Sequence, residues 1–216
     1  MRFLTAGSRA LLVELDPDTD PAPVRLYRAL AGQPPPGALE FVPAARTVLV
    51  RYDPAHTTPD NLADRITRHT GELRDEAPDA ASDAVEGAVQ QAGAVLEIPV
   101  TYDGEDLDEV ARATGLSTTE VTSLHRDALY TVAFCGFAPG FGYLTGLPDA
   151  LRLPRRPSPR TRVPAGSLAI ADRYTAVYPH PSPGGWHLLG HTATAVWDAG
   201  RRPPALLTPG TRVRFT

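Results

Sequence analysis

Five arginines, Arg152, Arg155, Arg156, Arg160 and Arg162, crowd into one short stretch broken by Pro154, Pro157 and Pro159. A guanidinium is a planar fork that grips a carboxylate or phosphate through two parallel hydrogen bonds. The prolines hold the backbone extended, so little chain freedom is lost on ordering such a loop. The pattern reads either as an anion clamp or as a solvated polar loop. A second stretch, Tyr178 to Trp186, places two aromatic rings around Gly184 and Gly185. The rings can wall a pocket, and bare glycine backbone lets N–H groups approach an anion. A plain glycine turn with core aromatics fits that composition equally well. His187 and His191 stand four apart, but Gly184, Gly185 and Gly190 argue against a helix there. No third ligand is evident, so no metal site is expected. Ser167 lies in Ala-Gly-Ser-Leu-Ala rather than in a nucleophile elbow, which makes it a hydrogen-bond donor sooner than a nucleophile.

All 21 basic residues of this 216-residue chain are Arg; Lys is absent. That excludes lysine Schiff bases, a kinase-type strand lysine and a phosphate loop of the GxxxxGK[ST] kind. The net charge of -4 argues against a general nucleic-acid binder. Cys135 is the single cysteine, which excludes an internal disulfide and a Cys-rich zinc site and fits a reducing, cytoplasmic setting. It sits in an apolar run and reads as a small core residue. Arg9 interrupts the apolar start, so no secretory leader is expected. Two long uncharged stretches, 128–148 and 174–197, are broken by Gly and Pro, so buried strands and loops are expected instead of a membrane span.

These groups need elements to position them. Residues 10–15, 38–43 and 46–52 read as strands, with Val48, Val50 and Tyr52 on one face. Val24, Tyr27, Leu30 and Ala31 recur at helical spacing, and Gly32 is expected to end that helix in a left-handed turn. A second helix starts at Thr58-Pro59, with Leu62 and Ile66 inward and Gly71 after its end. This order predicts an α+β layer of the split-βαβ, ferredoxin-like kind over 1–80. Residues 81–92 read as a linker. From 93 to 216 a strand at 95–101 leads into two short helices. Asp106/Glu109 and Ser117/Glu120 have capping-box spacing, and Gly115 separates the helices. The pair looks like a helix-turn-helix, but no basic patch surrounds it, so it reads as a hairpin covering one end of a barrel. Short apolar runs follow at 129–134, 167–171, 175–178, 186–189, 194–197 and 212–215, which predicts an all-β barrel or sandwich.

Three ordered motifs carry a resemblance. The first is Gly136 to Leu144 (GFAPGFGYL) with Gly146-Leu147-Pro148. The second is Pro154-Arg155-Arg156, Pro159-Arg160 and Val163-Pro164-Ala165-Gly166-Ser167. The third is Tyr178-Pro179, Ser182 to Trp186 (SPGGW) and Leu189-Gly190. Together with the closing PGTRVRF run they resemble the family of allophanate hydrolase subunit 1, KipI and the B-type 5-oxoprolinase subunit (PxpB), over nearly the whole chain. The resemblance implies a carboxyltransferase-type, cyclophilin-like barrel after the α+β domain. It implies one subunit of an ATP-dependent 5-oxoprolinase that opens 5-oxo-L-proline to glutamate with a PxpC-like and a PxpA-like subunit. ATP, with or without Mg2+, is the implied cofactor, bound here or by a partner; biotin is not attached to this chain. Alternatives within the resemblance are a KipI-like inhibitor of a sensor histidine kinase and a carboxyltransferase component of a urea carboxylase. Two places depart from the family pattern: Tyr174-Thr175-Ala176 replaces Gln-Thr-Gly, and His191-Thr192-Ala193 replaces Arg-Thr-Pro. His191 would grip a carboxylate only when protonated.

A lactam is inert at neutral pH, so its opening needs an anion clamp and donors aimed at developing negative charge. Arg155, Arg156 and Arg160 are the expected clamp. Gly184, Gly185 and Ser167 are expected donors, and His125 and His187 expected acid–base groups. Tyr178 and Trp186, with His191, are expected at the substrate, and Pro139, Phe141, Tyr143 and Pro164 are expected to shape the pocket.

Overall fold

Strict alternation along residues 10–14 and 47–52 builds the first layer. The computed structural model describes residues 1–18, 22–75 and 95–216. These form two compact units, one within Met1–Gly93 and one within Ala94–Thr216. The linker expected at 81–92 lies outside the described residues. In the first unit the order is β1 (Arg2–Thr5), β2 (Ala10–Glu14), α1 (Pro23–Gly32), β3 (Ala38–Pro43), β4 (Thr47–Tyr52) and α2 (Pro59–Asp75). The sheet runs β1-β2-β4-β3 and is antiparallel throughout. β4 lies between β2 and β3, which α1 joins, so the expected split βαβ is present. The edge beside β2 is taken by β1, a four-residue strand too short to show as a pattern.

Leu11 and Val13 of β2, with Val48, Val50 and Tyr52 of β4, bury their side chains against Leu26, Leu30, Leu62 and Ile66 of the helices. Three local expectations are corrected. In α1 Leu26 and Leu30 face inward, not Val24 and Tyr27. Gly32 is the last helical residue and is not left-handed; Gln33 caps the helix in an extended-side conformation (φ -134°, ψ 74°). α2 runs through Gly71 to Asp75. It continues because Leu73, seven residues after Ile66, still packs on this core.

The second unit comprises β5 (Leu96–Ile98), α3 (Leu107–Thr114), α4 (Thr118–Asp127), β6 (Tyr130–Cys135), β7 (Gly142–Thr145), β8 (Arg160–Val163), β9 (Ser167–Ala171), β10 (Tyr174–Val177), β11 (Ser182–Gly184), β12 (His187–His191) and β13 (Arg212–Phe215). Seven strands form one sheet in the order β12-β9-β10-β7-β6-β13-β5, and β8 pairs with β11 as a separate ribbon. The sheet curls until its ends meet. Thr101 N–H donates to His191 O at 2.9 Å, and His191 N–H to Thr101 O at 2.8 Å. A Cβ on Gly190 would overlap the Thr101 carbonyl, so only glycine permits this closure. The half is a mixed α/β curled barrel rather than all-β. Its two helices place Val110 and Val121 in the main core with Tyr130, Leu144, Leu168, Ile170, Val177 and Phe215. α4 starts on the expected capping box, and Gly115 (φ 73°) ends α3. Residues 194–197 form no strand; Trp197 makes only an isolated bridge with Ala205. β7 and β11 escape the sequence pattern because Gly or Pro occupies them, and β8 because Val163 is its one apolar residue.

Candidate functional site

Strand parity divides the barrel sheet into two faces. Leu168 and Ile170 of β9 and Val177 of β10 point into the main core, while Ala169, Ala171 and Ala176 point outward. Those small residues leave room outside for large rings. Phe141, Tyr178 and Trp186 fill it and are buried. Phe141 meets Tyr178 and Trp186 edge-on at 5.2 and 5.6 Å. Above this floor lies a more open tier. Tyr143, opposite Phe134 in the β6–β7 register, stacks on it at 4.3 Å. Tyr143 also meets Tyr174 at 5.6 Å. Phe137 packs edge-on against Phe141 at 5.2 Å yet stays 62% exposed. The expected rings Tyr178, Trp186, Phe141 and Tyr143 are thus brought together, while Pro139 and Pro164 sit exposed on flanking loops.

Gly184 has a different reason from the one expected. A Cβ there would overlap the Tyr178 hydroxyl, so glycine makes room for the phenol rather than for an anion. Burial pushes the Tyr178 phenol up to about 12, despite the nearby Arg155 charge and the Trp186 N–H it accepts. The Gly185 carbonyl accepts the Arg156 N–H at 2.8 Å, which ties the arginine loop to this turn.

The three clamp arginines separate. Arg156 and Arg160 both bind Asp106, a carboxylate whose side chain is 3% exposed. Arg160 Nη2 donates to Asp106 Oδ1 at 2.7 Å, and Leu188 N–H donates to Oδ2 at 2.7 Å. Arg156 also donates to Glu109 at 2.8 Å, and Arg160 pairs with Glu105 at 3.2 Å. Burial by itself would raise the Asp106 carboxyl, but the Arg160 and Leu188 hydrogen bonds and both guanidinium charges hold it below the usual carboxylate range. Arg156 and Arg160 therefore do not form a free anion clamp, because three carboxylates already face them. Asp106 also corrects the capping-box expectation: it caps α3 by position only, with no side-chain cap bond. The sequence signal was an acidic residue before a helix, and nothing in it points to arginines about fifty positions later. Arg155 is exposed and makes no hydrogen bond or ion pair within the described residues. Its charge bears on the phenols of both Tyr143 and Tyr178.

The histidines part as well. His125 is fully buried. Its Nε2–H donates to Thr175 Oγ1 at 2.9 Å, whose own hydroxyl donates to Ala169 O at 3.1 Å. Its Nδ1 then accepts from the Tyr102 hydroxyl at 2.9 Å. Burial lowers its pKa to about 3. With both nitrogens bonded inside the core, His125 cannot serve as the expected acid–base group; it is a structural node. His187 is buried and donates from Nε2 to Pro154 O at 2.9 Å, while its Nδ1 has no partner within the described residues. His191 is exposed and bonds Asp103 at 2.7 Å. Ser167 is buried opposite it, at the start of β9. Among the described residues no group of three or more His, Cys, Asp or Glu side chains is placed to hold a metal ion. Cys135 is half-buried against the main core, and burial raises its thiol. Sequence reasoning missed Phe137, Arg173 and Tyr174. The departure at Tyr174 from the family pattern was the available signal for that ring.

The match with the carboxyltransferase domain, subdomain C and D, covers residues 1–207. The chain is 37% identical over 219 residues to the B-type 5-oxoprolinase subunit of Escherichia coli O157:H7, covering 99% of this chain and 94% of the relative. It is 38% identical over 186 residues to the B-type 5-oxoprolinase subunit of Bacillus subtilis (strain 168), covering 85% of this chain and 77% of the relative. Among solved structures, TTHA0988 superposes with a TM-score of 0.73 at 41% identity, covering 96% of this chain. This chain spans 40% of that longer chain.

Proposed function

The chain belongs to the carboxyltransferase domain, subdomain C and D, family, and on that premise we propose that it is the B-type member of an ATP-dependent 5-oxoprolinase. One observation carries the reading: the 37% identity runs from end to end, over 99% of this chain and 94% of a relative named as that 5-oxoprolinase component. A PxpC-like and a PxpA-like subunit complete the assembly in this reading, and 5-oxo-L-proline is the substrate.

The arginine loop does not suit a triphosphate. Arg156 and Arg160 are matched by Asp106, Glu109 and Glu105, and Tyr178 fills the space over Gly184. The phosphates of ATP are therefore assigned to a partner subunit. This chain's part is to bind and orient the lactam, with Arg155 and the Tyr143 hydroxyl as groups still free among the described residues to do so. No helix among the described residues is long and apolar enough to cross a membrane.

The test is reconstitution with the co-encoded partner subunits. ATP hydrolysis should rise on adding 5-oxoproline, and glutamate should form in step. A complete assembly that hydrolyses ATP without response to 5-oxoproline overturns the reading.

A further inference from the structure

Phe137 is a large apolar residue in the left-handed region, with φ 66°. Ala138 N–H donates to Gly136 O at 2.7 Å, which makes Phe137 the centre of a three-residue turn of the strained, positive-φ kind. The turn is locked from both sides. Gly136 N–H donates to Phe141 O at 3.1 Å, and Phe141 N–H to Ala138 O at 3.0 Å. The chain thus holds an aromatic ring in solvent on a backbone that disfavours it. Such strain persists where surrounding bonds over-determine it, and it gathers at ligand sites.

The ring does not stand alone. Tyr143 and Tyr174 form the neighbouring wall, and Phe141, Tyr178 and Trp186 the floor. Arg155 adds an uncompensated charge: the next residue, Arg156, donates its N–H to Gly185 O at 2.8 Å, beside the Gly184 against which the Tyr178 hydroxyl packs, and the Arg155 charge bears on both Tyr143 and Tyr178. On the far side Arg173 lies over the Tyr174 ring at 5.3 Å and donates from Nε to its hydroxyl at 3.1 Å. The Tyr143 hydroxyl makes no hydrogen bond within the described residues. We propose that this cradle binds a flat ring bearing a carboxylate, with Arg155 as the carboxylate anchor and Phe137, Tyr143 and Tyr174 as the walls. The proposal rests on the lactam reading above for its natural ligand, and it deepens that reading by choosing one arginine of three. Arg155 remains for the ligand because Arg156 and Arg160 are committed to Asp106. Their bonds hold the loop that displays Arg155, so Asp106 acts as a positioning residue.

The chemistry follows from complementarity. Ring faces and edges of aromatic side chains accept a planar body without needing specific hydrogen bonds. A guanidinium supplies two parallel donors to a carboxylate. A neutral lactam would use the walls and leave the charge unmatched. A bare carboxylate would use the charge and leave the walls empty.

The experiment titrates the full chain with three probes: 5-oxoproline, 2-pyrrolidinone (the same ring without the carboxylate) and benzoate. The readout is the NMR shift of the Phe137 and Tyr143 ring signals. 5-oxoproline and benzoate should move both signals, and 2-pyrrolidinone should bind at least about tenfold more weakly, the value of a charge-assisted bond. Arg155→Gln, at an exposed position, should reduce the two carboxylates to the level of 2-pyrrolidinone. Benzoate binding through Arg155 without 5-oxoproline binding keeps the site and overturns the lactam assignment. The site is overturned if neither carboxylate moves these rings, or if Arg155→Gln binds them as tightly as the native chain.

Discussion

His125 shows how a residue type can mislead and its surroundings decide. An imidazole at its ordinary pKa of 6.5 is an acid–base group; buried and bonded at both nitrogens it titrates at about 3. The folded value lies below the unfolded one, so the unfolded chain takes up the proton first. Stability is then full above about pH 6.5 and falls as the pH drops toward 3. Urea unfolding at pH 7, 5 and 4 should show a loss approaching about 1.4 kcal/mol per pH unit from this group. His125→Gln should lower stability at pH 7 but flatten that pH dependence; an unchanged slope would contradict it. Asp106 is the opposite case, a carboxylate held low by its partners. Its contribution is present above the ordinary value of 3.8 and disappears only as the pH falls through its lower folded value. Asp106→Asn should cost about 3–5 kcal/mol at pH 7, because two guanidiniums lose their buried counter-charge. Thermal unfolding measures this, and a change under about 1 kcal/mol would mean that the pairs are mere surface contacts.

At the scale of elements, two glycines carry opposite predictions. Gly71 lies inside α2 with open space where a Cβ would go, so Gly71→Ala should stabilise the first unit by about 0.5–1 kcal/mol. Gly190 lies where β12 meets the Thr101 backbone, and any Cβ would strike the carbonyl. Gly190→Ala should destabilise the second unit by about 1–3 kcal/mol or more. Denaturant midpoints of the two variants should move in opposite directions. In the sequence both read as helix breakers, Gly71 after the end of a helix and Gly190 against one. The sequence pattern reads β4 from its alternation and β2 and β9 from their apolar runs. It fails on β8 and β11, because a ribbon containing Pro and Gly owes its pairing to what it folds onto and not to its own propensity.

For the whole molecule, the apolar clusters respect the two units. Leu11, Val48, Leu62 and their neighbours form one core, and the barrel residues form the others, with no buried member shared among the described residues. A fragment of residues 95–216 should therefore fold alone, with a cooperative thermal transition and a β-rich circular dichroism spectrum; a non-cooperative melt would show that the barrel needs the first unit. The split βαβ layer, the capped helix hairpin and the family are all legible in the order of the residues. They follow from short-range periodicity, capping residues and ordered motifs, which are written in neighbouring positions. Which charged groups remain free is settled in three dimensions alone. Arg155, Arg156 and Arg160 are chemically identical and nearly adjacent. Asp106, some fifty residues earlier, takes up two of them because α3 packs beside β12, and it leaves the third without an ion pair among the described residues. A charge is neutralised by what surrounds it in space, and that neighbourhood exists only once the sheet has closed.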